Sequence, residues 1–126
     1  VPVIAVETEG ADAYARSLRK GASVELSRIE SIATSLGTSY VTARALALAK
    51  EHPIQSAVVS DRSAVSACLS FLDDHRVITE PACGASLSIA YENSPLLAPF
   101  ATVLMVVCGG ATATLAQLQE WAGKLP

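Results

Sequence analysis

Val3-Ile4-Ala5-Val6, then Glu7-Thr8-Glu9-Gly10, then Ala11 through Lys20: the reading of this stretch decides the fold. The first four residues are apolar and mostly β-branched, the continuous pattern of a strand covered on both faces. The next four are polar and end on a glycine, as a turn does. In the third part Ala11, Tyr14, Ala15 and Leu18 share one helical face, and Gly21 is placed to stop the helix. A buried strand leading through a small turn into an amphipathic helix is the repeating unit of an α/β domain with a parallel sheet.

The same alternation runs outward from there. Ser27-Arg28-Ile29-Glu30 has the spacing of a capping box, and Ile29, Ile32, Ala33 and Leu36 predict a short helix halted by Gly37. A further helix is expected over Thr42 to Glu51, closed by Pro53. Ala57-Val58-Val59 reads as a strand, with Ser60 or Asp61 capping a helix to about Asp74. Arg76 to Thr79 is another strand candidate, and Pro81-Ala82-Cys83-Gly84 turns into a helix reaching about Tyr91. Asn93 to Pro99 is a surface connection. Thr102 to Val107 has the strongest strand pattern of the chain; Cys108-Gly109-Gly110 is its turn and Thr112 to Ala122 its helix. The fold class that follows is α/β, an open, mostly parallel twisted sheet with flanking helices.

Composition narrows the function. The chain has 126 residues, is 51% hydrophobic and 17% charged, and carries a formal net charge of -3. That length fits one domain with a real core, and the apolar share excludes a disordered tail. Nine basic residues against twelve acids, with no basic run, argue against nucleic acid as a partner. The longest apolar stretch, Ala101 to Cys108, is far short of the roughly 20 residues a membrane helix needs. Cys68, Cys83 and Cys108 form an odd set without metal-site spacing, so a reduced, cytoplasmic setting is expected. Val1-Pro2-Val3-Ile4 has no signal-peptide character and opens directly on a strand, as a segment of a longer chain would.

Ligands of open parallel sheets bind beyond the carboxyl ends of the strands, beside helix N-termini. Glu7 to Gly10, Glu80 to Ala85 and Cys108 to Thr112 occupy such ends. Each pairs a polar or polarisable side chain with a glycine. Taken singly, a Gly-Gly turn is as well explained by tight helix–strand packing as by a ligand.

Together, Ala5-Val6-Glu7-Thr8-Glu9-Gly10-Ala11, Glu51-His52-Pro53-Ile54, Glu80-Pro81-Ala82-Cys83-Gly84-Ala85 and Val107-Cys108-Gly109-Gly110, in that order, resemble the C-terminal part of the L-serine dehydratases. These are the eukaryotic L-serine/L-threonine ammonia-lyases among the fold-type-II pyridoxal-phosphate enzymes. The resemblance covers nearly the whole chain, including Leu115-Ala116-Gln117-Leu118. It implies the large-domain portion of a tryptophan synthase β-like fold, and a small amino acid as substrate. The implied reaction is loss of water and then ammonia, giving pyruvate from L-serine and 2-oxobutanoate from L-threonine. A homodimer of the complete enzyme is implied as well.

The family's Schiff-base lysine lies in a Ser-x-Lys motif near its N-terminus, and a glycine run holds the cofactor phosphate. Neither matches here: none of Lys20, Lys50 and Lys124 has serine two places before it, and Gly109-Gly110 belongs to a different motif. The expectation is therefore that residues 1–126 are the C-terminal part of the catalytic domain. The N-terminal part, with lysine and phosphate loop, would be its partner, and this chain alone would be catalytically inactive. No regulatory domain of the kind found in biosynthetic threonine deaminases is expected after Pro126.

The resemblance assigns few residues. Cys108 matches the position whose side chain meets the pyridine nitrogen of pyridoxal phosphate, with Gly109 beside it. A thiol is a weak hydrogen-bond partner and does not hold that nitrogen protonated, which suits β-elimination. The residues themselves leave open that Cys108 is a small core residue. Glu7 matches a carboxylate ligand of a bound cation, with carbonyl groups at Ala11, Leu36 and Thr38 completing the protein ligands. One carboxylate with carbonyls suits potassium, and Ala13 stands where a racemase-type divalent site would have an acid. The alternative for Glu7 is a partner of the following helix dipole.

Glu80 receives no chemical step beyond orienting its turn, and Cys83 reads as packing. His52 and His75 read as capping or solvated groups, and Trp121 as core or interface. Two other functions stay open: serine racemase or another fold-type-II lyase, and a non-catalytic α/β domain binding a small ligand or a partner chain.

Overall fold

The computed structural model describes residues 1–126. Strand β1 (Val3–Thr8) pairs in parallel with β2 (Ile54–Val59), in a register that sets Val3 opposite Ile54 and Thr8 opposite Val59. Helices α1 (Ala13–Lys20) and α2 (Ala43–Glu51) lie between them in sequence. Helices α3 (Asp61–His75), α4 (Pro81–Tyr91) and α5 (Leu115–Lys124) follow, with short 3-10 turns at Thr34–Leu36 and Pro95–Leu97. The domain is α/β with a parallel sheet and flanking helices, as the strand–turn–helix alternation implied.

Local signals placed the helices. Gly21 ends α1 in the left-handed conformation, φ 71°, donating its N–H to the Leu18 carbonyl. Thr42 caps α2, Ser60 caps α3, and Thr114 with Gln117 forms a complete capping box on α5. Pro81 takes the first turn of α4, where no N–H is needed. No helix is long and apolar enough to cross a membrane.

Helix α4 is the hub, lying against both α3 and β1. Gly84 makes the first contact possible. A Cβ there would sit 2.1 Å from the Ala64 carbonyl oxygen and 2.6 Å from Cys68 Sγ. Cys68 also joins Ala113 and Leu118 in a small buried cluster, with Leu69 and Trp121 packed on it. Trp121 is thus half-buried against this cluster. His52 ends α2 and is exposed, while the ring of His75 lies 4.4 Å from that of Phe71 at the end of α3.

Three expected elements differ. The helix from the Ser27 capping box does not form; only Thr34–Leu36 turns. Its backbone donors go to tertiary partners instead. The Glu30 N–H reaches the Gly10 carbonyl (3.0 Å) and the Ile32 N–H reaches Asp61 Oδ2 (3.0 Å). Arg76–Thr79 is not a strand: Arg76 leaves α3 in the left-handed conformation, and Val77 to Thr79 have no ladder partner. Thr102 to Val107 is likewise not a strand and makes no backbone hydrogen bond. A strand exists only against a neighbour, and no segment of this chain pairs with either stretch. The sheet therefore has two strands here. Between β1 and residues 102–106 lies an apolar cavity of about 440 Å³, lined among others by Val3, Val6, Val103 and Met105.

Candidate functional site

At the end of β1, Glu7 projects onto the start of α1. Its Oε1 accepts the Tyr14 N–H (2.8 Å) and its Oε2 the Ala15 N–H (2.7 Å), two of the orphan donors of a helix N-terminus. It performs the capping that Asp12, the N-cap residue, does not, because the Asp12 carboxylate is engaged by Arg16 at 2.9 Å. Burial pushes the Glu7 carboxyl above its ordinary range, against the opposing pull of these two N–H bonds. At Asp12 burial also pushes upward, but the Arg16 guanidinium overrides it and the carboxyl is held low.

The rest of this turn is filled from within. Gly10 has φ 79°, and a Cβ on it would lie 2.9 Å from Glu30 Cβ. Thr8, fully buried, shares a hydrogen bond of 2.7 Å with Ser31, whose hydroxyl donates to Asp61 Oδ1 at 2.6 Å. Because Ser31 has one proton and gives it to Asp61, the Thr8 hydroxyl is the donor between them.

Of the other proposed cation ligands, Ala11 is buried in the turn and donates its N–H to the Thr8 carbonyl. Leu36 and Thr38 sit at the end of the Thr34–Leu36 turn, where the Leu36 carbonyl accepts the Thr38 N–H at 2.8 Å. No hydrogen bond joins Glu7 to Ala11, Leu36 or Thr38. Ala13 is buried and brings no oxygen-bearing side chain.

The second turn is built differently. Cys108 is exposed, so it is not the core residue the sequence left possible. Its N–H and that of Gly109 both donate to Cys83 Sγ at 3.3 Å, and the Cys83 thiol donates to the Gly109 carbonyl at 3.3 Å. The same carbonyl accepts the Glu80 N–H at 3.2 Å, and Glu80 Oε2 accepts the Thr112 hydroxyl at 2.6 Å. That hydroxyl, with Ser35 adding to it, holds the Glu80 carboxyl below its ordinary range. Gly110 is pressed against the chain, with space for no Cβ: one would fall 2.2 Å from the Ile78 carbonyl oxygen. Gly109 is the reverse case. Nothing lies within 4 Å of where its Cβ would be. Packing explains the second glycine; open space beside the first leaves room for a flat group to approach Cys108 and its backbone.

Glu80 orients its turn, as the sequence suggested. The sequence reading missed Cys83: it is buried, as expected, but its sulfur binds the backbone of the neighbouring turn as well as packing. Its place in the first turn of α4, after Pro81, was the available signal. The Thr8–Ser31–Asp61 chain had none, because its members are brought together only by folding.

Comparison with known proteins gives the family and the fold. Residues 1–109 match the family model described as pyridoxal-phosphate dependent enzyme, a match that ends on the second turn. The L-serine dehydratase/L-threonine deaminase of Mus musculus is 43% identical over 127 residues, covering 94% of this chain and 39% of its own length. The crystal structure of a fungal L-serine ammonia-lyase from Rhizomucor miehei superposes with a TM-score of 0.88 at 32% identity, covering all of this chain and 42% of that one. Maize serine racemase shares the fold, with a TM-score of 0.80 at 23% identity, covering 98% of this chain and 40% of that one. The chain thus spans about two fifths of the length of these relatives.

Proposed function

This chain belongs to the pyridoxal-phosphate dependent enzymes, and from that premise we propose that it is the C-terminal part of an L-serine/L-threonine ammonia-lyase. Its reaction is loss of water from the β-carbon and then release of ammonia, for which the water is taken back. L-Serine gives pyruvate and L-threonine gives 2-oxobutanoate. The observation that carries the reading is the exposed Cys108 on a turn held by Cys83, with open space at Gly109.

Pyridoxal phosphate, when bound, supplies the electron sink that lets the α-proton leave. The part left to this chain is orientation. Cys108 would meet the ring nitrogen; being a thiol and not an aspartate, it offers a weak hydrogen bond and no negative charge to keep a proton there. Gly109 would let the ring come close to the backbone. Lys20, Lys50 and Lys124 are all exposed on helices and none stands in a Ser-x-Lys motif, so the lysine that attaches the cofactor is expected from the rest of the polypeptide.

A potassium-like cation is assigned to Glu7 with the carbonyls of Ala11, Leu36 and Thr38. The two N–H bonds on Glu7 are compatible with this, since a carboxylate has about four lone-pair directions. The complete enzyme is expected to act as a cytoplasmic homodimer.

The test is to express the full-length polypeptide, supply pyridoxal phosphate and measure 2-oxo acid formation from L-serine and L-threonine. Pyruvate and 2-oxobutanoate are the expected products, and residues 1–126 alone should form neither. A protein that binds the cofactor yet releases D-serine, or no 2-oxo acid, would overturn the assignment.

A further inference from the structure

We propose that Cys83 is a positioning residue whose thiol sets the conformation of the Cys108-Gly109 turn, and with it the direction in which the Cys108 sulfur meets the cofactor ring. The proposal rests on the assignment of Cys108 given above and extends it to a residue that touches no substrate.

Within residues 1–126 the incoming side of the turn is held by Cys83, because residues 102–107 make no backbone hydrogen bond to any other part of this chain. The first backbone donors after that run, the N–H groups of Cys108 and Gly109, both end on Cys83 Sγ. The thiol proton goes to the Gly109 carbonyl. One sulfur therefore fixes both amides and one carbonyl across the Cys108–Gly109 peptide. Sulfur suits this because it is large and polarizable, and the angle between its two acceptor contacts is loosely constrained.

A clamp needs a rigid base, and Cys83 has one. It is 4% exposed in the first turn of α4, between Pro81 and Gly84. Gly84 seats that helix directly on α3, and α4 also lies against β1, the paired strand. The outgoing side of the turn is held independently by Gly110 under Ile78 and by Thr112 on Glu80. Removal of the sulfur frees one side only, so the outcome is a misdirected Cys108 in an otherwise folded protein. A cysteine serving packing alone would be replaced by valine without such an effect.

The experiment uses the full-length enzyme with Cys83→Val and Cys83→Ser. Val fills the space without bonds; Ser keeps the donor and acceptor on a shorter bond. Amide hydrogen exchange, the visible absorption band of bound pyridoxal phosphate, and kcat and KM for L-serine are measured for each. In Cys83→Val, exchange at Cys108 and Gly109 should rise about tenfold, the order expected for lost hydrogen bonds, with α3 and α5 unchanged. The cofactor band should shift, and kcat should fall several-fold at nearly constant KM. Ser should restore most of the protection and of kcat.

Equal exchange in the Val and wild-type proteins overturns the proposal. Raised exchange with an unmoved cofactor band overturns it too, because the turn would then be held without consequence for the ring. A wild-type enzyme that binds no pyridoxal phosphate removes the proposed function itself, and the positioning role falls with it.

Discussion

At the end of β1 the chain is closed by a carboxylate on helix amides; after residue 107 it is closed by a sulfur on the amides of the turn itself. The first closure sits on a paired strand, and β2 holds β1 along its whole length. The second adjoins two segments without ladder partners, and point contacts from α4 and Glu80 do the work of a ladder. One half of the molecule is thus a self-contained strand–helix frame, and the other is a site suspended from it. The comparison teaches where outside structure is needed: alongside residues 102–107, where Leu104 is 89% and Val106 65% exposed and an apolar cavity opens toward β1. Exposed apolar surface of this kind is what the proposed N-terminal part of the enzyme would cover.

Backbone protection in residues 1–126 alone should differ most between the two halves. Amides of β1 and β2 should exchange slowly and those of residues 103–107 nearly as fast as in an unfolded peptide. A rate difference of about 10³ follows from opening energies of several kcal/mol against near zero. In the full-length protein the second set should become protected. Protection of residues 103–107 in the isolated chain would end the distinction between frame and suspended site. The isolated chain should also bind a hydrophobic dye.

Next in size come the glycines that join the halves. Gly84→Val drives side-chain atoms into the Ala64 carbonyl and Cys68, at the seam of α3 and α4. Overpacking of this kind costs about 3 kcal/mol or more. Gly110→Ala meets the Ile78 carbonyl at the suspended turn, where the loop yields more easily, and about 1–2 kcal/mol is expected. Denaturant unfolding of the full-length variants measures both. Equal losses would mean the turn is as rigid as the helix seam.

What the sequence disclosed follows the same division. The helices were legible because their signals are local: Gly21, Thr42, Ser60, Pro81 and Thr114 act within a few residues of where they stand. β1 was legible because its apolar run lies directly before its own turn and helix. Residues 76–79 and 102–107 have strand chemistry but no strand, because pairing is a property of two segments and no other segment of residues 1–126 pairs with them. The Ser27 capping box was outbid by Asp61 and Gly10, which lie far away in sequence. Cys108 and Glu80 could be located by motif, whereas the role of Cys83 is set by where its sulfur lies after folding.

The finest test separates the two closures by pH. The Glu7 carboxyl is raised above its ordinary 4.5, so the protonated form is the one the fold favours. Its contribution is complete below that value and is lost as pH rises through the raised one. Glu80 is lowered from the same 4.5; the stability from its Thr112 contact is complete above that value and is lost as pH falls through the lowered one. The penalties of Glu7→Gln and Thr112→Val should therefore move in opposite directions. Glu7→Gln leaves one helix amide without an acceptor and should cost about 1 kcal/mol, most near pH 4 and less near pH 8. Thr112→Val removes a contact that is largely open to water, for which about 0.5 kcal/mol is the discounted figure at neutral pH, vanishing toward pH 3. Denaturant midpoints of the two variants across that range read the signs directly. Parallel curves would show that the closures share one electrostatic environment, and the contrast between the halves would then be one of pairing alone.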